Sequence, residues 1–213
     1  MMSIQILTDR YPALNVCAGD ILGAYEAMLN CYRCGGKMLF CGNGGSAADS
    51  EHIVGELMKG FLLKRPPVQA DRDAFAAAFP EDADYFAKNL QRGIPAISLV
   101  SQSAVQTAFN NDVAADMVFA QQVYGYGRSG DLVMGITTSG NSKNVVNAMK
   151  VAKAMGLTTI GLTGAKESML SAICDVTIRV PKTETYQVQE LHLPVYHWLC
   201  AALEDEIFAA DEH

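Results

Sequence analysis

Little of this 213-residue sequence is charged: 18% is Asp, Glu, Lys or Arg, and the net charge is −7. No run of basic residues stands out, which argues against general nucleic-acid binding. No apolar run reaches the length of a membrane span. An unbroken apolar leader is also missing, because Asp9, Arg10 and Pro12 interrupt the stretch where a signal peptide needs its core. The expectation is a cytoplasmic protein with neither a membrane nor a nucleic acid as partner.

Two further absences narrow the chemistry. The glycine loop Gly42-Asn43-Gly44-Gly45-Ser46 has no GKS or GKT after it, so it is not a phosphate loop of the nucleotide-hydrolase type. It also breaks the dinucleotide pattern at Ala47, and the next strand, 94–100, runs into Ser101-Gln102 with no acid to hold a ribose. No nucleotide cofactor is expected. Of the six cysteines, Cys31 and Cys34 form a CxxC with no second CxxC or histidine pair at zinc-finger spacing. They lie in a helical pattern, so packing is the first reading and a metal or redox motif the alternative. A disulfide framework is not expected in a cytosolic chain of this size.

What is present is hydrophobicity, half of all residues, enough for one domain to bury a full core. Residues 4–34 read as helical, with Ile21, Tyr25, Met28, Leu29 and Tyr32 on one stripe. Pro12 divides this region and Gly35-Gly36 ends it. From residue 37 onward short apolar strands (37–41, 94–100, 131–136, 158–162, 175–180) alternate with helices, the first helix spanning 47–62 and the last 185–208. That alternation predicts a three-layer α/β/α sandwich around a five-stranded parallel sheet, flavodoxin-like in plan. The N-terminal helices, residues 1–36, precede it. Residues 66–93 are rich in alanine and charge and contain two short helices split at Pro80. They read as a helical insertion, either a lid or interface arm or a solvated connector.

Ligands of such sheets bind beyond the carboxyl ends of the strands. Two polar loops fall there, 42–46 and Thr137-Thr138-Ser139-Gly140-Asn141-Ser142. The second offers four hydroxyls and an amide ahead of a helix, which suits a phosphate monoester. Helix capping by Ser139 or Ser142 is the plainer alternative. His52 and Glu56, four apart, share a face of the first helix of the sandwich.

GNGGS, the His-x3-Glu pair, TSGNS and a Gln-Glu-x-His in the terminal helix together resemble the sugar isomerase (SIS) domain, and more narrowly the phosphoheptose isomerases. The resemblance covers the whole chain except 66–93, as one SIS domain spanning 1–213. It implies an aldose–ketose isomerase acting on a sugar phosphate, sedoheptulose 7-phosphate first, through an enediol. It implies that Ser46, Thr138, Ser139 and Ser142 hold the phosphate, with Gly44, Gly45, Thr137 and Gln189 beside them. Asn43 and Asp112 would meet sugar hydroxyls. Glu56 and His197 would be the acid–base pair, and His52, Glu56, Gln189 and His197 match positions that bind zinc in metal-containing relatives. It further implies a homotetramer with sites at subunit interfaces. The rival is a non-catalytic SIS protein, a sugar-phosphate sensor or an adaptor that binds the replication initiator DnaA. Where the family often has Asp and Arg before the Gln-Glu pair, this chain has Tyr186-Gln187-Val188, which leaves the choice of sugar open.

Overall fold

The computed structural model describes residues 2–209. Its centre is a five-stranded, all-parallel sheet: β1 (Met38–Gly42), β2 (Ala96–Ser98), β3 (Leu132–Ile136), β4 (Thr158–Thr163) and β5 (Val176–Arg179), in the order β2-β1-β3-β4-β5. Helices cover both faces, as predicted. They are α1 (Gln5–Arg10), α2 (Ala18–Arg33), α3 (Gly45–Met58), α4 (Gln69–Ala78), α5 (Ala83–Asn89), α6 (Ser103–Phe109), α7 (Val118–Tyr126), α8 (Lys143–Ala154), α9 (Met169–Ile173) and α10 (Thr185–Phe208).

The period of two in a strand divides the core. Met38 and Phe40 of β1 pack in one cluster with α2, α3 and α10, while Leu39 and Cys41 join α7 and α8 on the other face. All four are fully buried, each stabilising the fold by roughly 1.5–3 kcal/mol where the side chain is large. Because β1 and β3 are neighbours in register, the loops that follow them leave the same edge side by side.

One boundary differs from the sequence reading. Helix α3 stops at Met58 rather than at 62, so Leu62 is exposed and not a core residue. The cause is a buried ion pair. Glu204 of α10 accepts hydrogen bonds from the backbone N–H groups of Phe61, Leu62 and Leu63 and from Arg65 Nε at 2.7 Å, and this holds 61–65 in an irregular path. The polar stretch at 110–112 falls in a π-helical turn, Asn110–Ala114, that continues α6. In the CxxC, Cys31 is buried and its thiol points to the Lys37 carbonyl, while Cys34 caps α2 at the surface. That is the packing role.

The two helices of 66–93 are α4 and α5. They pack on each other through Phe75 and Phe86 and bury no residue fully. Arg92 closes the base of the arm, its N–H donating to the Arg65 carbonyl. The arm leaves after α3 and returns into the start of β2, so it is rooted at the edge opposite the two polar loops. No described helix is long and apolar enough to cross a membrane.

Candidate active site

Gly44 makes the turn from β1 into α3. Its φ of 57° and ψ of −121° are open to glycine and strained for other residues. The turn exposes the head of α3, which receives no side-chain cap. The second loop reaches it from β3. Asn43 and Asn144 exchange two amide hydrogen bonds of 2.9 Å and tie the loops together.

Between them lies a cavity of about 330 Å³, lined by Asn43, Gly44, Gly45, Ser46, Thr137, Thr138, Ser142 and Gln189, with Ile136 and Thr185. None of these side chains is charged. Hydroxyls, amides and the heads of α3 and α8 are what it offers, and helix heads carry partial positive charge. The capping alternative is not what the fold uses. Ser142 precedes α8, yet its Oγ turns to Thr137 Oγ1 at 2.8 Å and caps nothing. Helix heads and hydroxyls around an uncharged cavity suit a phosphate.

Two expected members stand apart. Ser139 Oγ accepts the Asn141 N–H, and Ser139 lines a smaller adjoining cavity of about 180 Å³ with Lys166 and Lys182. Asp112 lies exposed on the π-helical turn and accepts from the Asn111 amide. The nearby Asp116–Lys143 ion pair, 2.7 Å, keeps that segment against the head of α8.

A second group forms further along α3. His52 Nε2 stands 3.2 Å from Glu56 Oε1 and 3.5 Å from His197 Nε2. Phe61 packs on the His197 ring with centroids 5.6 Å apart. Burial first, then the neighbouring His52, lowers the pKa of His197, with Glu56 opposing, so the ring is biased toward its neutral form. The other oxygen of Glu56 meets Lys59 Nζ at 3.1 Å. His197 also borders a larger cavity, about 470 Å³ and mainly apolar, between α1 and α10.

The donor types of this group suit zinc, but the placement does not. Both contacts converge on one atom, His52 Nε2, so a nitrogen occupies the centre of the group. Among the described residues no cluster of three or more His, Cys, Asp or Glu side chains is placed to hold an ion. Gln189 sits at the first cavity, eight residues before His197, roughly 12 Å along the helix.

Sequence reasoning missed Thr185, Asn144 and Tyr196. Thr185 precedes Gln189 by four on the same helix, a legible spacing. Tyr196 joins His52 Nδ1 at 3.0 Å and Asp49 Oδ1 at 3.2 Å. Asp49, His52 and Glu56 follow an i, i+3, i+7 pattern that marks one helix face.

Comparison with known proteins follows the same lines. The SIS domain family profile matches residues 73–164. The phosphoheptose isomerase of Rhodospirillum rubrum is 36% identical over 203 residues, 95% of this chain and 94% of that one. Among solved structures, phosphoheptose isomerase GmhA from Neisseria gonorrhoeae superposes with a TM-score of 0.70 at 32% identity, covering 91% of each chain. A phosphoheptose isomerase from Francisella tularensis gives 0.75 at 27% identity, covering 96% of this chain and all of that one.

Proposed function

This chain belongs to the phosphoheptose isomerase family of SIS-domain proteins, and from that premise we propose that it is a sugar-phosphate aldose–ketose isomerase acting on sedoheptulose 7-phosphate. The observation that carries the residue assignment is the meeting of His197, from the far end of the chain, with His52 and Glu56. Converting a ketose to an aldose moves a proton between adjacent carbons through an enediol. It needs a base for the carbon-bound proton and a group that passes protons between the two oxygens. Glu56 is the carboxylate for the first task. His197, biased toward neutral by burial, accepts and returns the second proton.

The uncharged cavity holds the phosphate through Ser46, Thr137, Thr138 and Ser142, with Ser139 at its flank. Asn43 and Gln189 meet the sugar, and Asp112 reaches it from the α6–α7 connection. The separation of roughly 12 Å along α10 between Gln189 and His197 supports a site shared between subunits of a homotetramer. The apolar cavity beside His197, with Ile6, Leu62 and Leu193 exposed on it, supports that assembly. One zinc ion per subunit stays in the proposal on donor chemistry alone. Residues 1–213 form one SIS domain, with 66–93 a helical insertion whose root lies away from the phosphate loops. The six free thiols suit a cytoplasmic setting.

The test is an isomerisation assay across C5 to C7 ketose phosphates, with and without zinc, with Glu56→Gln and His197→Ala as controls. Turnover of the seven-carbon substrate, lost by about 10²- to 10⁴-fold in both variants, is expected. Tight binding with no turnover of any substrate would leave a sensor or adaptor. Full rate in both variants would remove the acid–base assignment.

A further inference from the structure

We propose that Lys166 and Lys182 form an anion-binding subsite beside the uncharged cavity, one that draws the phosphoryl group of a sugar phosphate into it. The role of the subsite rests on the phosphate reading of that cavity, because the two share a wall.

A phosphate monoester carries close to two negative charges at neutral pH. The protein has a net charge of −7, so its overall field repels such a ligand. No side chain lining the first cavity is charged. Hydroxyls and helix heads can hold a dianion in contact with them, but the field of a helix head fades beyond its first turn. They do little to attract a phosphate from a distance.

The missing charge lies next door. The cavity of about 180 Å³ is built by the loops that follow β3, β4 and β5, and Lys166 and Lys182 line it. Thr138 and Thr185 line both cavities. Among the described residues, the lysines paired with carboxylates are Lys37, Lys59, Lys143 and Lys153, and neither Lys166 nor Lys182 is one of them. The acid in the lining, Glu167, is held by the Arg179 guanidinium and accepts from Ser171 Oγ at 3.2 Å. The head of α10, at Thr185, receives no side-chain cap and adds partial positive charge.

The base of the subsite is fixed. Gly164 N–H donates to the Thr138 carbonyl at 3.1 Å, and Ala165 N–H donates to the Lys182 carbonyl at 2.9 Å. A Cβ on Gly164 would lie 2.8 Å from both of those carbonyl oxygens, so the three loops close together only over a glycine. The two lysines themselves are exposed. They attract an anion without the desolvation cost of a buried cation, and salt screens them. Such a pair suits capture and transfer across the Thr138–Thr185 wall.

The test uses full-length protein, with inorganic phosphate as the binding probe and sedoheptulose 7-phosphate as the substrate. At low ionic strength the double variant Lys166→Gln/Lys182→Gln should bind phosphate about tenfold more weakly and lose about tenfold in kcat/KM, with kcat unchanged. In about 1 M salt, where the screening length is about 3 Å, both differences should close. Lys166→Arg/Lys182→Arg keeps the charge and should behave as wild type. Lys88→Gln/Lys150→Gln makes the same change in net charge at exposed positions outside both cavities, and it should also stay close to wild type. A subsite variant no weaker than this control would overturn the proposal, as would a loss that persists in high salt. A wild type that bound neither phosphate nor any sugar phosphate would remove the phosphate reading of the first cavity and the subsite with it. Binding without turnover would remove only the isomerase assignment, and the phosphate titrations would still decide the subsite.

Discussion

Gln189 lies directly over Gly45, so close that a methyl group on that glycine would overlap its amide. The head of α3 and the terminal helix meet there, and the contact exists only because residue 45 has no side chain.

Gly45→Ala should therefore act on binding and not on folding. The obstructed atoms are the far end of a flexible side chain, which can swing away at small cost. Gln189 then leaves the cavity. The thermal midpoint should stay close to wild type while KM for the sugar phosphate rises by about tenfold, the loss of one good polar contact. Steady-state kinetics beside a melting curve check both halves.

Ser142→Ala removes a hydroxyl that faces the cavity and bonds Thr137. Hydrogen bonds to charged groups are worth roughly 1.5–3 kcal/mol, so phosphate-ester binding should weaken by about 10- to 100-fold. Ser139→Ala should cost clearly less, because that hydroxyl is already engaged with the Asn141 N–H at the flank. Calorimetric titration with substrate in both variants tests the ranking.

Glu204→Ala strips the partner from a guanidinium with no exposed side-chain surface. A buried charge left unpaired costs about 3–5 kcal/mol, and the N–H groups of Phe61, Leu62 and Leu63 lose their acceptor as well. Glu204→Gln keeps an acceptor oxygen and should lose less. Urea unfolding of the two variants gives the comparison.

His192 predicts a pH dependence. It is buried, and burial lowers its pKa from 6.5 to about 4, with the Thr163 backbone opposing in part. Below pH 6.5 the unfolded chain binds this proton and the folded one does not. No proton-linked cost therefore arises above about pH 6.5, and stability is lost as pH falls from there toward 4, by about 3 kcal/mol in full. His192→Leu removes the titration and should flatten that part of the stability curve. Unfolding midpoints at pH 7 and pH 4.5 in wild type and variant measure the difference.

Much of the fold was legible because its signals are local. Apolar runs of strand length between helical stripes announce a parallel sheet, and the loops after β1 and β3 fall at one edge by topology alone. The boundary of α3 was not legible. The sequence pattern carries it to residue 62, but Glu204, more than 140 residues away, ends it earlier by capturing three backbone N–H groups. The same holds for the capping question at Ser142: its position ahead of a helix allowed a cap or a phosphate contact, and the path of its own loop turns the hydroxyl to Thr137.

By itself the sequence determined which residues could do chemistry: hydroxyls and glycines ahead of helices, a histidine and a carboxylate one turn apart, and a distant histidine in a terminal helix. Helical and strand periodicities are fixed by backbone geometry, so those placements follow from order alone. Tertiary structure decided which of them meet. It brought His197 to His52, kept Gln189 at the other cavity, left Asp112 apart on an exposed turn and set Tyr196 between Asp49 and His52. Those pairings depend on how α10 lies across α3, a contact made by buried side chains remote in sequence, and no local pattern encodes that crossing.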